Sequence, residues 1–190
     1  MKNIDHELKI IFLHPPKNAG KSIEHAVFKR GHGPGSADHS LPKDWYQRHK
    51  DEWLTYFKFG FTRNPCDRVV SNYTHRMSDP NLRMKLRNVH TFEDYIAYLE
   101  KLPQGNWINN QATKQISWFY FKNSPANFIG KFENIKEDFE VVKKTLNLDC
   151  ELPHVNKHDH DHYSEYYTDS LKDKVYNIFK EDVNVFEYEF

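Results

Sequence analysis

The feature that most constrains the fold is an apolar run followed by a loop with two lysines, a glycine and a serine, at residues 9–22. The run KIIFL (residues 9–13) is short and apolar after its lysine, as is typical of a buried strand. The loop HPPKNAGKS (residues 14–22) follows it, and a helix-like run continues to residue 30. Unpaired amides and the positive end of the helix dipole meet at a helix N-terminus, so this layout favours a phosphate-binding loop.

The residues of the loop suit an anion in different ways. Gly20 would let the backbone approach the anion without a Cβ in the way. Ser22 could cap the helix or bind a phosphate oxygen. Lys17 or Lys21 could supply a full positive charge.

The loop departs from the triphosphate-binding pattern G-x-x-x-x-G-K-[ST]. The triplet GKS at residues 20–22 fits the end of that pattern, but Pro15 stands where the first glycine belongs. Two interpretations follow from the loop alone. It either binds a phosphate, or it is an ordinary strand–turn–helix connection in which Gly20 is a turn residue.

A second strand–loop–helix unit follows. Residues 56–62 (YFKFGFT) alternate and predict a strand, and Asn64 with Pro65 is a strong helix start signal. Arg63 thereby lies at the carboxyl end of a strand, where open α/β sheets bind ligands, and Ser71 lies about two turns into the helix. The alternative is that Arg63 and Arg68 form surface ion pairs with acids such as Asp67.

The rest of the chain adds helices and one further strand. Thr91, with Asp94 three residues on, predicts a helix over residues 91–101. Residues 127–132 predict a third strand, residues 134–148 an amphipathic helix and residues 164–181 a last helix. Residues 41–53 indicate a weakly helical, polar surface segment, and residues 107–121 favour no single element.

Composition limits the classes of partner. Lys plus Arg and Asp plus Glu both number 27, so no global basic excess points to nucleic acid or to a membrane surface. No apolar run approaches the roughly 20 residues of a membrane span, and no signal-peptide core is present. A chain of 190 residues is expected to form one domain. We therefore expect a soluble, cytoplasmic, single-domain protein over residues 1–190.

Cysteine and histidine usage gives no metal prediction. Cys66 and Cys150 are far apart and form no metal-type pair, which favours free thiols in a reducing compartment. The alternation of His158, His160 and His162 lacks the spacing of a closed tetrahedral ligand set, so a solvated loop is expected there.

Four blocks, in order and spacing, resemble the sulfotransferases that use 3′-phosphoadenosine 5′-phosphosulfate, in particular their carbohydrate-type branch of heparan and chondroitin sulfotransferases. FLHPPKNAGKSI (residues 12–23) is similar to that family's 5′-phosphosulfate loop, which does not begin with glycine. FTRNPCDRVVSNY (residues 61–73) is similar to its 3′-phosphate motif. FIGKFEN (residues 128–134) and LPHVNK (residues 152–157) resemble two further blocks.

The resemblance implies a fold and a reaction. The fold is α/β, a three-layer, P-loop-like arrangement with a central, mainly parallel sheet flanked by helices. The reaction moves a sulfuryl group from the donor to an acceptor hydroxyl, expected on a carbohydrate, by in-line displacement. The donor leaves as the 3′,5′-bisphosphate, and no metal is required if lysine and amides stabilise the charge that develops on the leaving phosphate.

The resemblance also implies roles for individual residues. Lys17 is the candidate for contacting the bridging oxygen, and Arg63 with Ser71 for holding the 3′-phosphate. Donor binding is assigned to Lys17, Asn18, Ala19, Gly20, Lys21, Ser22, Arg63, Ser71 and Lys157.

The general base is expected to be a histidine, whose pKa normally lies near working pH. His39 is the first candidate because the family places a histidine between its two phosphate motifs. His32 and Glu24 remain alternatives.

Two other functions remain open at this point. GKS at residues 20–22 suits a P-loop kinase or nucleotide hydrolase, although no clear strand ending in a magnesium-binding aspartate follows. A non-catalytic module that binds the donor or its bisphosphate product would keep the same motifs without turnover.

Overall fold

A computed structural model describes residues 3–29, 38–103, 112–122, 124–153 and 161–189. Its contacts divide the chain into two compact units. The first contains Met1–Arg63 and Gln115–Asn156, and the second contains Asn64–Lys114 and Lys157–Phe190. The chain passes from one unit to the other three times. The expectation of a single domain over residues 1–190 stays a prediction.

The first unit is built on a four-stranded sheet in the order β1–β2–β3–β4. The strands are β1 (Ile4–Asp5), β2 (Ile10–Leu13), β3 (Phe57–Thr62) and β4 (Phe128–Lys131). β1 pairs antiparallel with β2, whereas β2–β3 and β3–β4 are parallel, with Phe12 opposite Phe59 and Phe61 opposite Gly130. The three strands predicted from sequence are present, and the sheet is mainly parallel as expected.

Helices cover both faces of this sheet. On one face α1 (Gly20–Phe28) and α8 (Ile135–Leu146) pack against alternate strand residues, burying Ile23, Phe12, Phe59 and Phe139. On the other face α3 (Lys50–Thr55) and α7 (Ile116–Phe119) approach. The Phe119 ring lies against Gly60, and the Lys58 ammonium donates to the Trp53 carbonyl at 2.9 Å. The expected three-layer α/β arrangement is confirmed.

The second unit is helical within its described residues. It contains α4 (Pro65–Ser78), α5 (Pro80–Arg83), α6 (Phe92–Glu100) and α9 (Asp169–Phe186), with short 3₁₀ turns at Met84–Leu86 and Tyr163–Tyr166. Its core joins α4, α6 and α9 through Val69, Tyr95, Ile96, Val175 and Phe179. The predicted caps are present: the Asn64 side chain accepts from the Cys66 amide, and Thr91 forms a capping box with Asp94.

Two sequence-based expectations about helices are wrong. Residues 41–53 are not a polar surface segment: α2 (Pro42–Arg48) and α3 bury Trp45 and Trp53, which are 1% and 0% exposed. The last helix begins at Asp169, with Thr168 as its cap, and ends at Phe186 instead of near residue 181. Its final turn buries Val183 and Phe186, and this packing extends the helix.

Two further observations concern the whole chain. Cys66 and Cys150 are free thiols, one buried and one partly exposed. In the part of the chain that the structure describes, none of the helices combines the length and the apolar character that crossing a membrane requires.

Candidate active site

The parallel strands bring three connections to one edge of the first unit's sheet. The loop of residues 14–19 follows β2, Arg63 follows β3 and Phe132 follows β4. Contacts join them: Arg63 Nη1 donates to the Lys17 carbonyl at 2.9 Å, and its guanidinium lies 4.1 Å from the centre of the Phe132 ring. The predicted loop lysine and strand-end arginine are therefore neighbours.

The loop holds two residues in the left-handed conformation. Lys17 has φ 72° and Ala19 has φ 57°, whereas Asn18 between them is not left-handed. Each left-handed non-glycine residue costs roughly 1–2 kcal/mol, and such strain concentrates at functional sites. Ala19 is left-handed and Gly20 begins the helix, and a left-handed residue beside a right-handed one turns successive amides to one side, as in anion-binding nests.

Helix α1 begins without a side-chain cap. Its N-cap is Ala19, which has no polar atom to offer, and Ser22 lies in the third helical position with its amide donating to the Ala19 carbonyl at 2.9 Å. Among the described residues, the amides of Gly20 and Lys21 donate to no protein acceptor. The prediction that Ser22 could cap the helix is wrong, and the open amides favour an anion.

Gly20 is required for a second reason, and its predicted role in the approach of an anion stays a prediction. A Cβ at residue 20 would overlap the His14 imidazole, which lies directly against the start of α1. The absent side chain makes room for this ring. Since His14 is 4% exposed, it is a structural part of the loop that the sequence pattern did not reveal.

His14 is held by a buried carboxylate. Its Nδ1 lies 3.1 Å from Glu24 Oε1, and Glu24 is 6% exposed. A carboxylate accepts hydrogen bonds, so the His14 Nδ1–H is the donor in this pair. Glu24, one of the alternative general bases, thus orients His14 from a buried position.

His39 lies on the same imidazole. The ring centroids of His14 and His39 are 4.4 Å apart, and His39 Nδ1 lies 2.9 Å from the His14 carbonyl. A carbonyl can only accept, so His39 Nδ1 carries the proton and its Nε2 keeps a lone pair. Burial first, and then the neighbouring His14, lowers the pKa of His39 to about 3, and the Lys17 charge acts in the same direction.

The arginines are not surface groups. Arg63 and Arg68 are 8% and 0% exposed, which contradicts the alternative that they form surface ion pairs. Within the second unit Arg68 donates from Nη2 to the Thr113 carbonyl at 2.9 Å and lies over the Phe179 ring at 4.9 Å. Arg68 therefore joins the helical core, whereas Arg63 stands at the sheet edge.

A buried glutamine joins the loop to Arg63, and no motif in the sequence predicted it. Gln115 Oε1 accepts from Asn18 Nδ2 at 2.7 Å and from the Arg63 amide at 2.9 Å, while its Nε2 donates to the Arg63 carbonyl at 2.8 Å. Asn18 Nδ2 also donates to the Phe61 carbonyl at 2.7 Å. Asn18 contributes to the loop through its side chain, beyond the backbone role expected of it.

Four predicted residues remain: Lys21, Ser71, His32 and Lys157. Lys21 is exposed on the first turn of α1. Ser71 is 4% exposed on α4 of the second unit, so its pairing with Arg63 stays a prediction. His32 and Lys157 lie outside the described residues.

The histidine alternation near residue 160 lies partly outside the described residues. His158 and His160 are in that part, while the His162 side chain accepts from the Ser164 amide at the start of a 3₁₀ turn. Of the described side chains, no three histidine, cysteine or acidic groups are arranged to hold a metal ion.

A family model described as "Sulfotransferase family" matches residues 3–189, nearly the whole chain. No match was found among curated proteins or among solved structures.

Proposed function

The chain belongs to the sulfotransferase family, and on that premise we propose that it transfers a sulfuryl group from 3′-phosphoadenosine 5′-phosphosulfate to a hydroxyl of a carbohydrate. The observation that carries the proposal is the direct contact between two anion-binding elements. Arg63 Nη1 bonds the carbonyl of Lys17, which stands in the loop that precedes the uncapped start of α1. A donor with a phosphosulfate at one end and a 3′-phosphate nearby needs two such elements.

The residues at the sheet edge fit this donor. The amides of Gly20 and Lys21 face no acceptor among the described residues, so they can hold the oxygens of the 5′-phosphate. An arginine fork carries five N–H donors and suits a phosphate. When bound, the donor supplies the sulfuryl group and a phosphate that takes up negative charge as it leaves.

Lys17 stabilises that charge in the proposal. Its left-handed backbone and the Arg63 contact fix its Cα, and its charge already acts on His39. Preorganised donors of this kind contribute most where charge develops in the transition state. Lysine and amides together supply the stabilisation, so the proposal needs no metal ion.

His39 receives the proton of the acceptor hydroxyl in the proposal. The His14 carbonyl holds Nδ1–H, which leaves Nε2 as the basic atom. With its pKa lowered to about 3, the imidazole of the protein without donor is neutral at physiological pH but is a weak base. The negative charge of a bound donor raises the pKa of His39, because an opposite charge favours the imidazolium.

The acceptor is proposed on the family and on the chain's resemblance to its carbohydrate-type branch. A hydroxyl-bearing acceptor follows from the family itself. Its identity as a carbohydrate is our proposal, and it calls for a panel of sugars and small alcohols in the test below.

The test combines ligand stabilisation with turnover. Adenosine 3′,5′-bisphosphate without magnesium should raise Tm, because a ligand that binds only the native state stabilises it by mass action. Labelled donor should then pass its sulfuryl group to a member of the acceptor panel. Stabilisation by ATP with magnesium, and none by the bisphosphate, would instead indicate a kinase or hydrolase. Bisphosphate binding without any turnover would indicate a binding module.

A pair of lysine variants tests the proposed chemistry. Lys17→Ala should lower kcat by about 10²- to 10³-fold, as removal of one transition-state donor does. Lys9→Ala is the matched control, since Lys9 is also a left-handed lysine (φ 52°) but is exposed at the other end of β2. Both variants lose one charge and keep the same backbone strain. Equal kcat values for the two variants would remove Lys17 from the reaction.

A further inference from the structure

Gln115 occupies a position from which one side chain touches both proposed phosphate-binding elements. It is 0% exposed and belongs to the first unit, at the residue before α7. Asn18 lies 97 positions away in the sequence and Arg63 lies 52 positions away. No short-range pattern connects these three residues.

The hydrogen bonds use both ends of the Gln115 carboxamide. Oε1 accepts from the Asn18 side chain and from the Arg63 amide, and Nε2 donates to the Arg63 carbonyl. The Gln115 carboxamide thus bonds both the backbone N–H and the backbone carbonyl of Arg63, and these two bonds fix the position and the orientation of Arg63. The bond to Asn18 fixes the loop relative to the same atom.

The next turn of the chain reaches the third site residue. The Gln115 carbonyl accepts from the Trp118 amide at 2.9 Å, and Trp118 Nε1 lies 3.3 Å from the His39 carbonyl. One segment of four residues therefore contacts the loop, the strand-end arginine and the histidine. Its contacts are made to backbone atoms and to the Asn18 side-chain carboxamide. Such contacts hold the site residues in place and leave the charged side chains available to a ligand.

We propose that Gln115 is a positioning residue that sets the spacing between the 5′-phosphosulfate loop and Arg63, and so makes the site selective for a ligand with phosphates at both the 5′ and the 3′ positions. This inference rests on the proposed function. A shift of about 1 Å in a positioned group can cost two orders of magnitude in rate. A residue that sets the distance between two anion sites should therefore affect the affinity for ligands with two phosphates far more than the affinity for ligands with one.

The test is Gln115→Met, which keeps the length of the side chain and removes all three hydrogen bonds. We expect the Kd of adenosine 3′,5′-bisphosphate, measured by calorimetry, to rise at least about ten-fold, the effect of 1.4 kcal/mol. The Kd of adenosine 5′-phosphate, which lacks the 3′ group, should rise less than about three-fold. In turnover assays the donor KM should rise more than kcat falls.

Two controls separate positioning from general damage. Gln47→Met makes the same substitution at an exposed position of α2 and should change neither Kd. In an Arg63→Ala background, Gln115→Met should weaken bisphosphate binding by less than three-fold, because residues in one network do not act additively. If Gln115→Met does not fold, Gln115→Asn replaces it. Asparagine keeps a neutral carboxamide but is one methylene shorter, so it does not span both Asn18 and Arg63, and the same selective loss is expected with a smaller size.

The outcomes for the two proposals differ. Equal weakening of both ligands, or no weakening of either, would overturn the role of Gln115 while wild-type binding of the bisphosphate still supports the proposed function. Failure of the wild-type protein to bind the bisphosphate would overturn the proposed function and this inference together.

Discussion

His39 combines a fixed tautomer with a strongly lowered pKa. The His14 carbonyl takes its Nδ1 proton, and burial against the His14 ring disfavours the imidazolium. Its native pKa is about 3, compared with 6.5 for the free side chain. Between these two pKa values His39 is protonated in the unfolded state and neutral in the native state, so protonation stabilises the unfolded state.

This difference predicts acid sensitivity. Between about pH 6.5 and pH 3 the unfolded chain carries one more proton at His39, so the free energy of unfolding should fall as the pH falls. His39→Asn can keep a donor to the His14 carbonyl but does not titrate. It should reduce the slope of unfolding free energy against pH by up to about 1.4 kcal/mol per pH unit, because one proton no longer distinguishes the two states.

Denaturant unfolding at several pH values between 4 and 6 measures this slope. His90→Asn, at an exposed position, serves as the control for loss of an imidazole. Parallel curves for wild type and His39→Asn would show that His39 titrates in the native protein as it does in the unfolded chain.

Local pattern identified the loop and Arg63, but not their partners. Lys17 and Gly20 follow a strand directly, and Arg63 ends a strand, so position in the chain was informative. The His14 ring occupies the space above Gly20 and is held by Glu24, 10 positions away in the chain, whereas Gln115 reaches Asn18 across 97 positions. A single sequence does not record such pairings.

At the scale of elements, helix α1 starts under strain. Its N-cap Ala19 is left-handed (φ 57°, ψ 18°) and provides no capping hydrogen bond. A helix that begins this way gives up stability at the terminus where the proposed donor binds.

Replacing either of two alanines by glycine tests that strain. Ala19→Gly should raise the free energy of unfolding by about 0.5–1 kcal/mol, because glycine tolerates positive φ, although it adds entropy to the unfolded chain. Ala26→Gly, inside the same helix, should lower it by about 1 kcal/mol. Chemical denaturation compares the two variants. Destabilisation of similar size in both would mean that Ala19 is not strained.

The starts of the helices were easier to predict from the sequence than their ends and their burial. The helix N-caps could be predicted, because the Asn64 and Thr91 side chains accept hydrogen bonds from amides of their own first turns. The C-terminal helix was misplaced because its end depends on tertiary burial of Val183 and Phe186. Residues 41–53 are polar on average, but the segment packs into the protein through two buried tryptophans, Trp45 and Trp53. An average over the segment does not show these two residues.

At the scale of the whole molecule, the two compact units are discontinuous in sequence. The chain leaves the first unit after Arg63, returns at Gln115 and leaves again after Asn156. Domains that fold alone are usually joined by one flexible linker. Here one boundary falls between a strand-end residue, Arg63, and a helix cap, Asn64, so at that boundary the backbone passes from one unit to the other without a linker.

This connectivity predicts cooperative unfolding. Trp45, Trp53 and Trp118 are buried in the first unit, so tryptophan fluorescence reports chiefly on that unit, whereas far-UV circular dichroism also reports on the helices of the second. The two denaturation midpoints should coincide. Val175→Ala, in the core of the second unit, should lower both midpoints equally. A fluorescence midpoint unaffected by Val175→Ala would show that the units unfold independently.

The two free thiols give the chain a built-in handle for spectroscopy. Burial raises the pKa of the Cys66 thiol to about 12, and the side chain is 1% exposed, so little reactive thiolate forms there. Cys150 is partly exposed and lies beside the core of the first unit. A maleimide dye under mild conditions should therefore mark the native protein at Cys150 alone. Cys150 thus provides a single site for an attached dye in the unit that holds the proposed donor loop.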